Sequence, residues 1–121
     1  MNEIKEYTEK IFEDIKHIDE FGNEYWLARE LQGVLEYQQW RSINDLIERA
    51  KVACKESKYN VDNHFAVQRK MIKLAKGATR KVIDYKLSRY ACYLILMNGN
   101  PKKEIIALGQ TYFAIQTRNL V

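Results

Sequence analysis

The sequence SRYACYLILMN at residues 88–98 decides the fold. Ser88 is a favourable helix N-cap, because its hydroxyl accepts a hydrogen bond from a backbone N–H of the first turn. The residues after it are apolar on nearly all sides, and a helix without a polar face lies inside a core. Asn98-Gly99-Asn100-Pro101 ends this helix and begins the next, since Gly suits C′ and Pro suits N1. We therefore predict a central buried helix over Arg89–Asn98.

Other apolar residues recur at helical spacing and predict amphipathic helices around the central one. Gly109 lies inside the last of these helices, where glycine costs about 1 kcal/mol relative to alanine, and it indicates the close approach of a neighbouring helix. The predicted helices cover residues 3–15, Ala28–Glu36, a segment that is capped by Ser42 and ends near Ser57, and Lys102–Arg118.

Two segments are predicted to form β-hairpins. Residues 67–87 have β-branched and aromatic side chains on both sides of a turn at Lys76–Arg80, so basic side chains lie at the tip of this hairpin. Glu20–Asn23 forms the second turn, with glycine at a position that needs positive φ.

The predicted fold class is α+β and mainly helical, with about five helices around a central buried helix and one or two small antiparallel β-hairpins. A length of 121 residues fits a single domain over residues 1–121. Because no helix-stop signal follows Asn119, we expect this domain to be an N-terminal fragment of a longer protein.

The composition excludes several classes of protein. The apolar share of 46% and the charged share of 30% are ordinary for a folded chain and exclude disorder. Cys54 and Cys92 cannot form a disulfide framework, and we expect reduced thiols in a cytosolic protein. The first 16 residues are charge-rich, and the longest apolar run, Ala91–Met97, is too short to cross a bilayer. We therefore predict a cytoplasmic protein with no membrane partner.

Charge is distributed unevenly along the chain. The net charge is +4, yet residues 1–65 have 9 Lys/Arg against 14 Asp/Glu, and residues 66–103 have 10 Lys/Arg against one acid, Asp84. Such a basic block is typical of a surface that contacts a polyanion, although a solvated face that serves solubility is the alternative. The candidate nucleic-acid or partner-binding residues are Arg69, Lys70, Lys73, Lys76, Thr79, Arg80, Lys81, Lys86, Lys102 and Lys103.

No pattern of catalytic residues is present in the sequence. His17 and His64 belong to no metal-ligand or catalytic spacing, and both cysteines lie on predicted core faces. We interpret His64 as a turn or capping residue rather than a base. Most of the larger aromatic residues lie at core spacing, which favours packing over nucleobase stacking. The prediction is a non-enzymatic protein with no cofactor, no metal ion and no small-molecule substrate.

Several longer blocks carry a resemblance to a known family. They are GNEYW at residues 22–26, ARELQ at 28–32, DYKLSRYACYLI at 84–95, NGNP at 98–101 and GQTYFAIQTR at 109–118. Over about residues 12–118 the chain resembles the bacterial DNA-damage-inducible protein D family. That family is similar in turn to the BRO-N domain of phage and baculovirus antirepressors.

The resemblance implies a cytoplasmic regulator of the bacterial DNA-damage (SOS) response, without enzymatic turnover. It implies DNA binding of the antirepressor kind, or action on the RecA-type recombinase that coats single-stranded DNA. We expect a regulatory domain that binds single- or double-stranded DNA, or a DNA-bound recombinase filament, through the basic block. The alternative is an antirepressor-like protein–protein interaction module that does not contact DNA, in which the acidic N-terminal half meets a basic partner. Both hypotheses leave the oligomeric state open.

Overall fold

The computed structural model describes residues 9–118. A short 3₁₀ turn, Ala75–Gly77, joins the two longest strands. In chain order the elements are α1 (residues 9–14), β1 (His17–Ile18), β2 (Glu24–Leu27), α2 (Ala28–Val34), α3 (Trp40–Glu56), α4 (Val61–His64), β3 (Phe65–Lys73), β4 (Thr79–Leu87), α5 (Arg89–Met97) and α6 (Glu104–Arg118).

The four strands form one antiparallel sheet in the order β1-β2-β4-β3. β3 and β4 pair along their whole length, from Phe65 opposite Leu87 to Lys73 opposite Thr79. β2 pairs with β4 only near this base, where Trp26 lies opposite Leu87. The base of β4 is therefore central in the sheet, and most of β3–β4 is a ribbon of two strands.

The predicted mainly helical architecture with one or two small hairpins is wrong. Within residues 9–118 the chain forms six α-helices and a single four-stranded sheet. The two hairpins predicted from local patterns merge, because β2 pairs with β4 across about sixty residues of sequence. Hydrophobic periodicity reports only local structure, so it could not show this pairing.

α5 lies in the hydrophobic core, as predicted. Its residues Ala91, Cys92, Ile95 and Leu96 have no exposed surface. α6 packs closely on it, since a Cβ at Gly109 would lie 2.6 Å from Cδ1 of Leu96. The glycine therefore permits the close helix approach that the sequence indicated.

The ends of the helices agree only in part with the predictions. Ser88 caps α5 as predicted, because its Oγ accepts a hydrogen bond from Ala91 N at 3.0 Å. α3 begins at Trp40 rather than after Ser42, and the Trp40 ring stacks on Tyr85 with centroids 6.4 Å apart. α6 begins at Glu104, so Pro101 is not at its N1 position.

The turn before α6 explains that difference, because Asn100 Oδ1 and Asn100 O accept hydrogen bonds from the backbone N–H groups of Lys102 and Lys103. The predicted helix start at residue 3 and the chain end after Asn119 lie outside the described residues. Among the helices of the described part, none is long and apolar enough to cross a membrane.

Candidate nucleic-acid interface

Most of β3–β4 is exposed on both faces. From Val67 to Lys81 every residue is exposed except Ile72, which is half-buried. We call residues 67–83 the ribbon. Its five outermost residue pairs, from Arg69–Ile83 to Lys73–Thr79, extend over roughly 14 Å at about 3.4 Å per residue. A two-stranded element that helices leave uncovered is free to contact a partner.

The tip of the ribbon is a tight turn. Leu74 N donates to Ala78 O at 2.7 Å, and Lys76 and Gly77 both have positive φ, at 66° and 79°. The turn therefore comprises residues 74–78, whereas the predicted turn at 76–80 ran two residues too far. Thr79 and Arg80 belong to β4, so they lie at defined register positions.

Seven of the ten predicted site residues lie on the ribbon, and all seven are exposed. They are Arg69, Lys70, Lys73, Lys76, Thr79, Arg80 and Lys81. Residues 67–83 include six Lys or Arg and no Asp or Glu. The structure thus brings most of the basic block together on one projecting element.

Three predicted residues lie elsewhere. Lys86 is at the base of the ribbon, where its Nζ lies 4.8 Å from the ring centroid of Tyr25. Lys102 and Lys103 precede α6, and Lys103 Nζ donates to Glu36 O at 3.2 Å and lies 4.0 Å from the Tyr37 ring. Lys103 therefore fixes the loop after α2 to the start of α6, and it does not extend the ribbon surface.

Cations are present on both faces of the ribbon, because side chains alternate along each strand. One face presents Arg69, Met71, Lys73, Thr79, Lys81 and Ile83. The other face presents Gln68, Lys70, Ile72 and Arg80. A nucleic acid strand can therefore contact cationic side chains from either side of the ribbon.

Asp84 anchors the ribbon to the helical part of the fold. It has no exposed surface, and its Oδ1 accepts from Arg29 N at 3.0 Å and from Tyr85 N at 2.8 Å. Leu27 is the N-cap residue of α2, but its side chain forms no capping hydrogen bond. Asp84, which lies on a strand distant in sequence, accepts a hydrogen bond from the first turn of the helix instead. Arg29 Nε completes the connection by donating to Ile83 O at 2.9 Å.

The sequence interpretation gave Asp84 no role. The available signal was its position as the one acid in a strongly basic block. Tyr85, next to it, is also fixed, because Lys51 Nζ donates to its Oη at 2.8 Å. The base of the ribbon is therefore held by hydrogen bonds to α2 and α3.

A cavity of about 510 Å³ lies at that base. Its walls come from the β1–β2 turn, α4, the start of α5 and the cross-strand pair Ala66–Lys86. Nδ1 of His64 lies 2.6 Å from Ser88 Oγ, and His64 O accepts from Ser88 N at 3.1 Å. His64 thus joins α4 to the α5 cap, and burial lowers the pKa of its imidazole.

The remaining nucleophiles and metal ligands form no site in the described residues. Cys54 and Cys92 are both buried, as predicted, and burial raises the pKa of each thiol. Within residues 9–118, no group of three or more His, Cys, Asp or Glu side chains is arranged to hold a metal ion.

Comparison with known proteins agrees with the resemblance that the sequence blocks carry. The model of the BRO family, N-terminal domain, matches residues 14–114. The chain is 49% identical over 107 residues to DNA damage-inducible protein D of Escherichia coli (strain K12). That match covers 88% of this chain and 39% of the relative, so the chain spans about two fifths of the relative's length. No solved structure matches the chain. The chain belongs to the BRO family and contains its N-terminal domain.

Proposed function

We propose that this domain is a non-enzymatic regulator of the DNA-damage response that binds DNA through the ribbon. The observation that carries the proposal is the concentration of six cations and no acid on an exposed two-stranded element. The major groove of B-DNA, about 12 Å wide, admits a two-stranded β-ribbon. The role in DNA damage is inferred from the name of the relative, DNA damage-inducible protein D, and from membership of the BRO family.

Most of the affinity is expected from phosphate contacts. Lysine and arginine side chains that neutralise phosphates release condensed counterions, so the binding constant falls as salt rises. With about five or six such contacts, the log–log slope for a duplex is about −5. Arg80 and Thr79, which lie next to the tip, are the residues best placed to reach base edges in a groove.

The test is a salt titration of affinity, measured by fluorescence anisotropy on a 20-base-pair duplex and on a single strand of equal length. The variant combines Lys76→Gln, Arg80→Gln and Lys81→Gln. We expect its slope to become less negative by about 2 to 3, because each lost phosphate contact accounts for roughly 0.9 on a duplex.

A matched control removes three exposed lysines outside the ribbon, Lys10, Lys55 and Lys58, also by substitution with Gln. The net charge changes by the same amount, so a general electrostatic attraction would weaken equally in both triple variants. Equal slopes in the two variants, or no binding by the unmodified domain at low salt, would rule out the ribbon as the DNA contact.

The same surface is proposed to engage DNA that is coated by a RecA-type recombinase. A pull-down of the recombinase with and without single-stranded DNA measures this directly. If the ribbon contacts DNA in the filament, capture requires the single strand and falls in the ribbon triple variant.

A protein–protein interaction module is the second candidate, because three large apolar side chains are exposed on the same face of the ribbon as Arg69. Val67, Met71 and Ile83 have 54%, 57% and 45% of their surface exposed. β3 is also an edge strand, and an edge strand offers unpaired backbone groups to a partner. Capture of a protein partner that is insensitive to both salt and DNA would favour this function.

A further inference from the structure

The cavity at the base of the ribbon is built from four separate parts of the chain. The β1–β2 turn, α4, the start of α5 and the sheet each contribute to its walls. Its volume of about 510 Å³ lies in the range of roughly 300–1,000 Å³ that is usual for ligand pockets. The proposed contact between ribbon and phosphates leaves this cavity unused.

The charges around the cavity compensate one another. Glu24 binds Arg89 through two hydrogen bonds, of 2.5 and 2.7 Å. Asp19 accepts hydrogen bonds from the backbone N–H groups of Phe21 and Asn23, and the charge of Lys86 helps to lower its pKa. With two acids and two bases in the walls, the cavity does not select for an anion such as phosphate.

The other wall residues suit a flat, uncharged ring with polar edges. Three aromatic rings lie in the wall, those of Tyr25, His64 and Tyr90. His17 stacks on Tyr25, and Lys86 Nζ lies 4.8 Å from the centroid of the same ring. The rings available to a ligand are therefore those of His64 and Tyr90, which pack edge to face with centroids 5.1 Å apart. Burial lowers the pKa of His64 and so favours its neutral ring. Asn63, exposed at the rim, contributes an amide that can donate and accept. A nucleobase combines these properties, since it stacks on aromatic rings and forms hydrogen bonds at its edge.

The cavity also continues one face of the ribbon. On that face the wall pair Ala66–Lys86 is followed by Gln68 opposite the buried Asp84, by Lys70 opposite the buried Val82, and by Arg80 opposite Ile72. Lys70 lies about 14 Å from Ala66 along β3, which equals roughly four base steps of B-DNA. A strand whose phosphates contact Arg80 and Lys70, and which continues along this face toward the base of the ribbon, reaches the cavity.

We propose that this cavity binds the base of an unpaired nucleotide. A base enters such a cavity only after it leaves the helical stack, and the cost is least for a nucleotide that has no partner. The inference rests on the proposed function for its biological context, because it names the form of DNA that the domain prefers. Its first test does not require the ribbon.

The first test uses a trinucleotide with a central 2-aminopurine, whose fluorescence falls when the base stacks on an aromatic ring. The variant Ala66→Phe fills the cavity from the sheet, where an aromatic residue is well tolerated. Gln68→Phe is its matched control, because Gln68 lies on the same face of β3, two residues beyond the cavity, and is exposed. Equal thermal melting of the three proteins establishes that they fold alike.

We expect saturable quenching by the unmodified domain and by Gln68→Phe, and at least tenfold weaker binding by Ala66→Phe. Asn63→Ala, which keeps the cavity open, should weaken binding about threefold by removing one hydrogen-bonding edge. Absence of quenching by the unmodified domain, or an equal loss in both phenylalanine variants, overturns the inference.

The second test compares a duplex that has a single-nucleotide bulge with the fully paired duplex. We expect about tenfold tighter binding of the bulged DNA by the unmodified domain, and no preference in Ala66→Phe. If binding depends on salt and on the ribbon but shows no preference for the bulge, the cavity inference fails and the proposed function stands. If the trinucleotide binds while the ribbon triple variant behaves as its control does, the proposed function fails and the cavity inference stands.

Discussion

An arginine lies near each end of β4, and one of the two is exposed whereas the other is buried. Arg80, near the tip of the ribbon, is exposed, whereas Arg89, two residues after β4 ends, is only 7% exposed. The guanidinium of Arg89 binds Glu24 through two hydrogen bonds and lies 5.0 Å from the ring centroid of Trp26. Among the described residues, no ion pair involves Arg80.

The difference separates charge that is available to a ligand from charge that the fold uses. Taking a guanidinium out of water costs several kcal/mol, and this cost is recovered only when hydrogen bonds and an opposite charge are close. Glu24 provides both to Arg89 and thereby fixes β2 to the start of α5. The charge of the basic block therefore overstates the cationic surface, which is concentrated on the ribbon.

The largest effect is expected from Arg89→Met. Methionine is similar in length, but it leaves the carboxylate of Glu24, which is 27% exposed, without its main partner. Removal of one member of a buried ion pair costs about 3–5 kcal/mol. We expect a loss of about 3 kcal/mol in the free energy of unfolding, because Lys16 Nζ, 3.9 Å from Glu24, and solvent retain part of the compensation. Urea unfolding measures this loss.

Arg80→Met is the matched control, and the two variants should show opposite defects. We expect Arg80→Met to change stability by less than about 0.5 kcal/mol, as is usual for surface substitutions, and to weaken DNA binding several-fold. Arg89→Met should keep its affinity for fully paired DNA, whose proposed contacts lie on the ribbon and not in the cavity, under conditions in which it is folded. A fully stable Arg89→Met that has lost DNA binding would contradict the structural role assigned to this arginine.

A smaller effect is expected at Asp84, which lies between the exposed and buried ends of β4. Asp84→Ala removes the carboxylate that accepts hydrogen bonds from Arg29 N, at the start of α2, and from Tyr85 N, at the base of the ribbon. Because both N–H groups lose their acceptor, we expect a loss of about 2 kcal/mol in the free energy of unfolding. Asp84→Asn keeps an oxygen for Arg29 N and should lose about half as much. Hydrogen exchange of the α2 and β4 amides should increase in the alanine variant. An unchanged exchange rate would show that Asp84 does not anchor the ribbon.

The same comparison explains how far the sequence determines the fold. The β-branched and aromatic residues of β4 predicted its strand, and the apolar run after Ser88 predicted the buried helix. The pairing of β2 with β4 was missed, because it joins residues about sixty positions apart. Local patterns predict elements, whereas the order of strands in a sheet depends on contacts that no local pattern contains.

The candidate site was predictable to a similar degree. Composition alone located the cations of the ribbon, since exposed lysines and arginines need no partner to be tolerated. It could not separate them from Lys103, which donates to Glu36 O, and the prediction gave no role to Arg89, which binds Glu24. The cavity was missed, because its walls come from four elements that meet only in the folded chain.

The smallest predicted effect concerns the outer end of the network around Arg89. Tyr112 Oη donates to the carboxylate of Glu13, and the guanidinium of Arg89 lies 5.9 Å from the Tyr112 ring centroid. Burial raises the pKa of Glu13, but hydrogen bonds from Lys16 and Tyr112 and the charges of Lys16 and Arg89 outweigh it. The pKa therefore lies below its ordinary value of 4.5.

A carboxyl whose pKa is lower in the folded state stabilises the fold above its unfolded pKa, and this contribution is lost as the pH falls through the folded value. Because the Glu13 side chain is 41% exposed, solvent screening limits the contribution to about 0.5 kcal/mol. Glu13→Gln should therefore destabilise the domain by about that amount at pH 7 and by less as the pH approaches 3, as measured by urea midpoints across this range. In Tyr112→Phe, the loss of stability between pH 7 and pH 3 should be smaller than in the unmodified protein, because the variant lacks the hydrogen bond that favours the charged carboxylate of Glu13. A pH dependence that is identical in the unmodified protein and in both variants would show that Glu13 makes no acid-dependent contribution to stability.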